Sequence, residues 1–233
     1  MKNIVFGYLL KAWHDAAGFN NDIIISQIKP TKTATVLDIG FFRGELVIKR
    51  FQKIPKSKIY AIDFDQAAIS SAKNLRLKTK KYNIEKGLPY KSNFFDIVVA
   101  NQMIEHLVNI DLFVEEIYRI LKPKGYVIVS TENLSSWHNL FALFLGWQAF
   151  SQHISKKINI GNPMRLIQSK QEFSDIHIKI FTPRGLKDLF LAYNFKVEKT
   201  FGAGYYPFYG QFARILSKLD SRHCAFIGIK AKK

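Results

Sequence analysis

VLDIGFFRGEL, residues 36–46, is the stretch that decides the fold of this 233-residue chain. It begins as a short apolar run typical of a covered strand, turns at Gly40 and continues as a helical pattern from Gly44. A strand that ends in glycine and turns directly into a helix leaves backbone N–H groups and open space at the carboxyl edge of a sheet. Open α/β sheets bind their ligands at that edge, so the stretch predicts a ligand-binding loop.

Further apolar runs alternate with helical patterns along the chain. Strands are predicted at 35–39, 58–62, 95–100 and 126–130, and near 196–201 and 224–230. Helices are predicted at 66–78 with Asp65 as N-cap, at 112–121 with Asp111 as N-cap, and from Thr182–Pro183 to about residue 193. Strand, helix and strand in this order indicate a βαβ sheet.

Composition and length predict one folded domain. Hydrophobic residues make up 48% of the chain, and 233 residues leave little room for a second core. The single cysteine, Cys224, excludes a disulfide framework and a thiolate zinc site. The apolar run at 4–10 is interrupted by Gly7 and Tyr8, which disfavours a signal peptide. We therefore expect a cytoplasmic protein, with peripheral membrane association as an alternative.

The chain is strongly basic, with 35 Lys and Arg against 18 Asp and Glu and a formal charge of +17. Such a charge attracts polyanions, either nucleic acid or an anionic membrane. A solvated, lysine-rich surface explains it equally well, because the basic residues are spread along the chain. The densest cluster falls on a predicted helix and the turn after it, and comprises Lys73, Arg76, Lys78, Lys80 and Lys81.

A second acidic residue, Asp63, ends the next predicted strand, 19 residues beyond Gly44. A carboxylate at that point can accept both hydroxyl hydrogens of a ribose. The dinucleotide pattern G-x-G-x-x-G starting at Gly40 would need glycine at Phe42 and Glu45, and both positions fail it. The spacing of Gly40 and Gly44 suits a cofactor without a pyrophosphate.

These features resemble the class I methyltransferases that depend on S-adenosylmethionine (SAM). The resemblance is to the methyltransferase type 11-like group of small-molecule, lipid and tRNA enzymes, in particular small-molecule and lipid O-methyltransferases, with the pattern V-L-D-[IV]-G-C-G-x-G. Later stretches match that group in order and spacing: YAIDFD at 60–65, NIEKGLPY at 83–90, FFDIVVAN at 94–101 followed by EHL at 105–107, RILKPKG at 119–125 and HIKIFT at 177–182.

The resemblance implies an α/β fold with a Rossmann-like, seven-stranded sheet. The sheet should be mostly parallel with an antiparallel terminal strand, and helices should cover both faces. Residues 1–233 should form a single domain, with an N-terminal helical cap at 1–33 and an apolar lid at 134–180 inserted after the fifth strand.

The resemblance also implies SAM as the cofactor. Its expected binding residues are Asp38, Gly40, Gly44, Asp63, Phe64, Asn83, Ile84 and Asn101. Asn83 stands where the family has an aspartate that contacts the adenine amino group, and its side-chain carbonyl can accept the same bond. The family has glycine where this chain has Phe42, and a small residue at Phe41. A side chain at position 42 either crowds the methionine part of SAM or points away from it.

Two histidines are the candidate catalytic groups. Methyl transfer to a hydroxyl needs a base, and histidine is the usual base near neutral pH. His106 follows the predicted fourth strand and His177 precedes the late helix, so both are expected to flank the pocket. Alternatively, Glu105 and His106 order the local backbone. We expect no metal in the site, although Glu105 beside His106 could serve one, as in relatives that O-methylate catechol-like quinone precursors.

The sequence disfavours two classes of methyltransferase and so narrows the range of methyl acceptors. The chain has NQMI at 101–104 instead of the [NDS]-P-P-[YF] loop of enzymes that methylate amino groups in DNA, and Cys224 is placed far from the pocket of a cytosine-C5 enzyme. The apolar segment at 134–150 is too short to span a bilayer. The segment suits the binding of a hydrophobic acceptor or a peripheral contact with an anionic membrane. Alternatively, it is buried against the sheet or forms a dimer contact.

Three functional hypotheses remain. The first is a SAM-dependent methyltransferase acting on a small-molecule or lipid-like acceptor, at oxygen. The second is a tRNA methyltransferase, suggested by the net charge alone. The third is a non-catalytic relative that uses the fold for interaction, suggested by Phe41 and Phe42. The sequence predicts no oligomeric state.

Overall fold

The structure is a computed structural model that describes residues 2–155, 157–158, 160–165 and 176–233. Its helices are α1 (Lys2–Gln27), α2 (Gly44–Phe51), α3 (Gln66–Ser71), α4 (Ile110–Ile120), α5 (Trp137–Phe144), α6 (Pro183–Ala192) and α7 (Gly210–Leu219). Its strands are β1 (Thr35–Ile39), β2 (Lys58–Asp63), β3 (Lys78–Lys81), β4 (Phe95–Asn101), β5 (Leu121–Glu132), β6 (Lys196–Ala203) and β7 (Phe226–Lys232).

The seven strands form one sheet in the order β3-β2-β1-β4-β5-β7-β6. Strands β1 to β5 are parallel, and β7 runs antiparallel between β5 and β6. The order reverses between β1 and β4, which is where an open α/β sheet opens its ligand crevice. The predicted Rossmann-like sheet with an antiparallel terminal strand is confirmed.

Two apolar layers cover the sheet. On one face Leu37 and Ile39 of β1 pack with α4 and α6, and on the other Val36 packs with α2 and the end of α1. Each strand buries alternate residues on opposite faces, which is why the central strands read as continuous apolar runs. Helices on both faces were therefore correctly predicted.

The predicted helix at 66–78 was wrong in length. Helix α3 ends at Ser71, and residues 78–81 form the edge strand β3, which pairs in parallel with β2. Three of the four β3 residues are lysines, so the strand has no apolar alternation to reveal it. Charged residues are common on edge strands because they discourage pairing with other chains. The basic cluster at 73–81 therefore lies on a turn and a sheet edge.

Two other helices differ from their predictions. Helix α4 begins at Ile110, two residues earlier than predicted. Its N-cap is Asn109 and not Asp111, because the Asn109 Oδ1 accepts a hydrogen bond from the Leu112 N–H at 3.0 Å. Helix α7 lies within a stretch for which no helix was predicted. By contrast, Thr182 caps α6 as expected, since its hydroxyl accepts from the Gly185 N–H at 3.1 Å.

The apolar segment at 134–150 contains the short helix α5. Within the predicted lid at 134–180, residues 156, 159 and 166–175 lie outside the described residues. Among the helices that are described, none has the length and apolar content needed to cross a bilayer.

Candidate functional site

The ends of three neighbouring strands bring the predicted cofactor residues together. Ile39 lies beside Ile62 in β2 and beside Ala100 in β4. The next residues along these strands are Gly40, Asp63 and Asn101, so all three meet at the carboxyl edge of the sheet. The sequence placed them there because consecutive parallel strands end at the same edge.

Gly40 is held in a conformation and a space that only glycine fits. Its φ is +68°, in the left-handed region, and a Cβ built on it would lie 2.6 Å from the sulfur of Met103. Its N–H donates to the Ile62 carbonyl at 2.9 Å, which fixes the turn to β2. The residues after β4 therefore pack directly on the glycine loop, an approach for which the sequence gives no signal.

The two phenylalanines that depart from the family pattern differ in their burial. Phe41 is fully buried in the core beneath α2. Phe42 has a φ of +56° and a side chain that is 65% exposed, with the Arg43 guanidinium 5.2 Å from its ring. The family's glycine at this position is explained by the positive φ, which a phenylalanine adopts at a cost of about 1–2 kcal/mol.

The Asp63 carboxylate organises the loop from the end of β2. Its Oδ1 accepts from the Asp65 N–H at 2.9 Å, and its Oδ2 accepts from the Phe42 N–H at 3.3 Å. The side chain is buried, although Phe64 beside it is half exposed. One carboxylate thus connects the β1 and β2 turns, and its further lone pairs suit ribose hydroxyls.

Gly44 and Asp38 are occupied by protein contacts. The Gly44 N–H donates to the Ser71 hydroxyl at 3.0 Å, and a Cβ there would lie 2.9 Å from the Cα of Ala72. Asp38 is completely buried and paired with Arg50. Burial raises the pKa of Asp38 above its ordinary value, while Arg50 opposes that rise. Direct cofactor contacts by Gly44 and Asp38 remain predictions.

Asn83 and Ile84 follow β3 at the same edge. The Asn83 Oδ1 accepts from the Glu85 N–H at 3.0 Å and so caps a short 3₁₀ turn. Ile84 is buried in the core layer that includes β1 and β4. Tyr82 ties this turn to β2, since its N–H donates to the Asp63 carbonyl at 2.9 Å. The predicted adenine-side residues therefore adjoin Asp63.

Helix α1 reaches the site through asparagines that the sequence analysis missed. The Asn20 Nδ2 donates to the Asn101 Oδ1 at 2.9 Å, and the Ser130 hydroxyl donates to the Asn20 Oδ1 at 2.9 Å. Asn21 accepts from Arg50 at 3.1 Å and from Asn101 at 3.4 Å. These bonds join residues that are 29 to 110 positions apart, so no local pattern reveals them. They fix α1 over the ends of β4 and β5.

The two candidate catalytic histidines lie side by side. The segment before α6 docks on the turn after β4, where the Ile178 N–H donates to the Glu105 carbonyl at 2.8 Å. The rings of His106 and His177 are consequently 4.9 Å apart. His106 Nδ1 contacts the Ile176 carbonyl at 3.0 Å, and His177 Nδ1 contacts the Ser151 carbonyl at 2.8 Å. A carbonyl can only accept, so each neutral ring carries its lone pair on Nε2.

Glu105 lies beneath the two imidazoles and is completely buried. Burial raises its pKa to about 7, and His177 partly offsets that rise. The nearby Thr131 hydroxyl also favours the charged form of Glu105, although the two groups do not meet the geometry of a standard hydrogen bond. A carboxyl group with such a pKa can exchange protons with a histidine at neutral pH.

Glu105, His106 and His177 also form a set of possible metal ligands. One ligand atom from each lies within 4.8 Å of the others. A carboxylate and two imidazoles fit a divalent transition metal, and the buried carboxyl group would gain a partner from it. These three residues would hold such an ion, which would polarise an acceptor oxygen as a Lewis acid.

Replacing Glu105 with glutamine should remove a pH dependence of stability. Between the ordinary value of 4.5 and about 7, only the folded state keeps the Glu105 proton. Stability should therefore fall as the pH rises through that window and level off above it. We expect a loss of about 3 kcal/mol in the wild-type chain that is absent from Glu105→Gln, as measured by urea unfolding from about pH 4.5 to 8.

The exposed Glu115 provides the matched control for this change. Glu115→Gln should leave the pH profile parallel to that of the wild-type chain. If Glu105→Gln also gives a parallel profile, Glu105 does not hold its proton in the folded state.

A family model described as a methyltransferase domain matches residues 12–200. The chain belongs to this family. Its cofactor is therefore SAM. The matched range contains every residue that was predicted to contact the cofactor, together with both histidines.

Curated relatives of this methyltransferase domain include enzymes of quinone biosynthesis. Ubiquinone biosynthesis O-methyltransferase of Rickettsia prowazekii is 27% identical over 163 residues, which are 65% of this chain and 63% of that protein. Demethylmenaquinone methyltransferase of Lactobacillus johnsonii is 30% identical over 123 residues, covering 46% of this chain and 50% of that protein. The chain spans less than two thirds of the length of these relatives.

Solved structures confirm the fold of the domain. A SAM-dependent methyltransferase from Thermotoga maritima superposes with a TM-score of 0.63 and 17% identity, covering 100% of this chain and 96% of that chain. An identity this low shows the shared fold alone.

A cavity of about 330 Å³ lies elsewhere in the methyltransferase domain, between α1 and α2. Asn21 and Arg50 line it, and both belong to the network that leads to Asp38 and Asn101. The cavity has a mixed charged lining that includes Asp22 and Lys49. Asp63, His106 and His177 are not among its lining residues.

Proposed function

We propose that this methyltransferase domain transfers a methyl group from SAM to an oxygen of a small-molecule or lipid-like acceptor. The observation that carries the proposal is the pair of imidazoles beside the glycine loop. Met103 packs on Gly40, and His106 lies three residues after Met103 in the same turn. The segment that carries His177 docks on this turn, so the two rings are 4.9 Å apart. The proposed base therefore adjoins the proposed cofactor site.

The glycine loop keeps groups that can hold the cofactor despite the change at Phe42. The Phe42 ring is mostly exposed, and its backbone N–H donates to Asp63. Asp63 accepts hydrogen bonds from both sides of the loop and retains lone pairs for a ribose. These observations favour an active enzyme over a non-catalytic relative.

The chemistry follows from the groups in the site. When bound, SAM supplies a methyl group on a positively charged sulfur, which leaves as a neutral thioether. We assign His106 as the base that accepts the acceptor's hydroxyl proton at Nε2 while the oxygen forms its bond to the methyl carbon. His177 then orients the acceptor, and Glu105 can take up the proton from the imidazole because its pKa is about 7.

Two features favour an apolar acceptor that carries a hydroxyl group. Helix α5 is linked to the histidine pair, because the Asn139 Nδ2 donates to the Ser151 Oγ at 3.0 Å and the Ser151 carbonyl contacts His177. The helix is mostly apolar, with Phe141 and Phe144 exposed. The quinone-biosynthesis relatives make a prenylated catechol the first acceptor to test.

A methyl-transfer assay tests the proposal. The chain is incubated with methyl-labelled SAM and a prenylated catechol, and mass spectrometry locates the label. We expect O-methylation, with kcat lowered roughly 100- to 10,000-fold in His106→Ala. His14→Ala is the matched control, since His14 is exposed on α1 and should keep kcat within about twofold.

Several outcomes would contradict parts of this account. Unchanged kcat in His106→Ala would remove the assignment of the base, and a label on nitrogen or carbon would remove the assignment to oxygen. Transfer to unmodified tRNA in a parallel reaction, with none to the catechol, would favour RNA as the substrate. Activity that chelators abolish and divalent ions restore would assign the histidine cluster to a metal.

A further inference from the structure

Helix α7 has an apolar face that points into solvent. Phe212, Ile215 and Leu219 follow one another at helical spacing and are 55%, 54% and 79% exposed. The opposite face is anchored, since Ala213 and Ser217 are buried. The position of the helix is therefore fixed. Its large apolar side chains remain more than half exposed, although the Phe212 ring lies 5.1 Å from the ring of Phe208.

Helix α5 has the same organisation. Trp137, Phe141 and Phe144 lie on one face, and Phe144 is 87% exposed. Asn139 and Ala142 fix the other face, where Asn139 donates to the carbonyl of Asn133 at 2.8 Å. A helix that only closed over the sheet would bury its aromatic face instead of its asparagine.

Polar contacts join the two helices end to end. The Trp137 Nε1 donates to the Asp220 carboxylate at 3.1 Å and to the Tyr205 hydroxyl at 2.6 Å. The Trp137 ring also lies 4.6 Å from His223. Leu219 therefore lies beside the beginning of α5. We call the exposed set the apolar platform, which consists of Trp137, Phe141, Phe144, Phe212, Ile215 and Leu219.

The apolar platform lies at the edge of the sheet that holds the site. Strands β5 and β6 both run antiparallel to β7, so they end at the same edge. Helix α5 follows β5, and α7 belongs to the connection from β6 to β7. An acceptor that approaches the histidines from this edge passes the platform.

Basic residues outnumber acidic residues in the segments that carry the platform. The sequence has no Asp or Glu at 133–171 or at 199–219. Lys157, Lys218 and Arg222 are exposed on these segments or next to them. Asp220, which borders the platform, has its carboxylate bound by Trp137, Tyr205 and His223. Exposed apolar side chains amid an excess of lysine and arginine are typical of surfaces that bind anionic bilayers.

We propose that the apolar platform docks this chain on an anionic lipid bilayer. Its aromatic and aliphatic side chains enter the boundary between headgroups and acyl chains, and the flanking basic residues face lipid phosphates. A second copy is a poorer occupant, because two chains of formal charge +17 repel each other. The placement beside the histidines rests on the proposed function, whereas the docking itself rests only on exposure and charge.

Sedimentation with lipid vesicles tests the proposal. The probes are vesicles of phosphatidylcholine alone and of phosphatidylcholine with phosphatidylglycerol. We expect at least tenfold tighter binding to the anionic vesicles, and at least a further tenfold loss in the double variant Phe144→Ser/Leu219→Ser. The matched control is Ile48→Ser/Leu191→Ser, which changes two exposed apolar residues outside the platform and should bind like the wild-type chain.

Three results would overturn the proposal. They are absence of binding to anionic vesicles, equal binding by the wild-type chain and the platform variant, and platform substitutions that only convert a dimer to a monomer in light scattering. Binding to tRNA that the platform variant loses, without vesicle binding, would assign the surface to RNA. A chain that methylates its acceptor without binding vesicles refutes the docking alone, and one that binds vesicles but not SAM refutes the proposed function alone.

Discussion

Arg50→Met is expected to destabilise the fold by about 3–5 kcal/mol, because it leaves a buried carboxylate without its partner. Asp38 is completely buried at the centre of the sheet, and Arg50 is its hydrogen-bond partner. Its other oxygen, Oδ1, has no hydrogen bond from any described residue. Burial already raises the pKa of Asp38, and loss of the guanidinium would raise it further. Urea unfolding at pH 7 measures the effect.

The neighbouring Lys49 provides a matched control. It forms an ion pair with Asp22 at 3.7 Å in which both side chains are at least half exposed. Exposed pairs of this kind contribute little, so Lys49→Met should change the unfolding free energy by less than about 0.5 kcal/mol. Equal effects of the two substitutions would show that Asp38 does not depend on Arg50.

Asp63→Ala is expected to weaken the binding of SAM and of its demethylated product by at least about 100-fold. Two hydrogen bonds from ribose hydroxyls to a carboxylate contribute about 3 kcal/mol or more, which corresponds to that factor. The substitution also leaves the N–H groups of Phe42 and Asp65 without their acceptor, so the glycine loop loses its link to β2. Calorimetric titration with S-adenosylhomocysteine measures the loss.

Asp65→Ala is the control that distinguishes a loss of cofactor affinity from a loss of stability. Asp65 is the N-cap of α3, where its side chain accepts from the Ala67 N–H at 2.9 Å. Its loss should cost about 1 kcal/mol of stability and leave the affinity within about twofold. Unchanged affinity in a folded Asp63→Ala variant would refute the assignment of Asp63 to the ribose.

The central sheet could be predicted from the sequence because its strands are buried on both faces. The predicted strand at 35–39 matches β1, and the strands at 58–62 and 95–100 each lack only their last residue. When short apolar runs alternate with helical patterns along a chain, each run is best interpreted as a strand that is covered on both faces. Strand β3 was missed for the opposite reason, since an edge strand of lysines buries almost nothing.

The candidate site was predicted as a set of residues, whereas its internal contacts were not. Motif order brought His106 and His177 to one edge, and the structure places their rings 4.9 Å apart. The contacts of Asn20 with Asn101 and of Met103 with Gly40 join distant or irregular segments. Such contacts depend on packing, so they follow from the fold and cannot be read from local periodicity.

Phe42 shows how a departure from a motif is interpreted once the backbone is known. The motif alone left open whether its side chain crowds the cofactor or points away. The positive φ explains the glycine of the family, and the exposed ring shows that Phe42 is not part of the core. Glycine is favoured there by backbone freedom, so phenylalanine costs some stability at this position.

Calorimetric titration of the wild-type chain with SAM is the decisive measurement for cofactor binding at the glycine loop. We expect one saturable site with a Kd of about 1–100 µM, in the range in which enzymes bind their substrates. We also expect S-adenosylhomocysteine to compete for the same site. If a chain that is shown to be folded does not bind SAM at millimolar concentration, the chain is not a SAM-dependent enzyme.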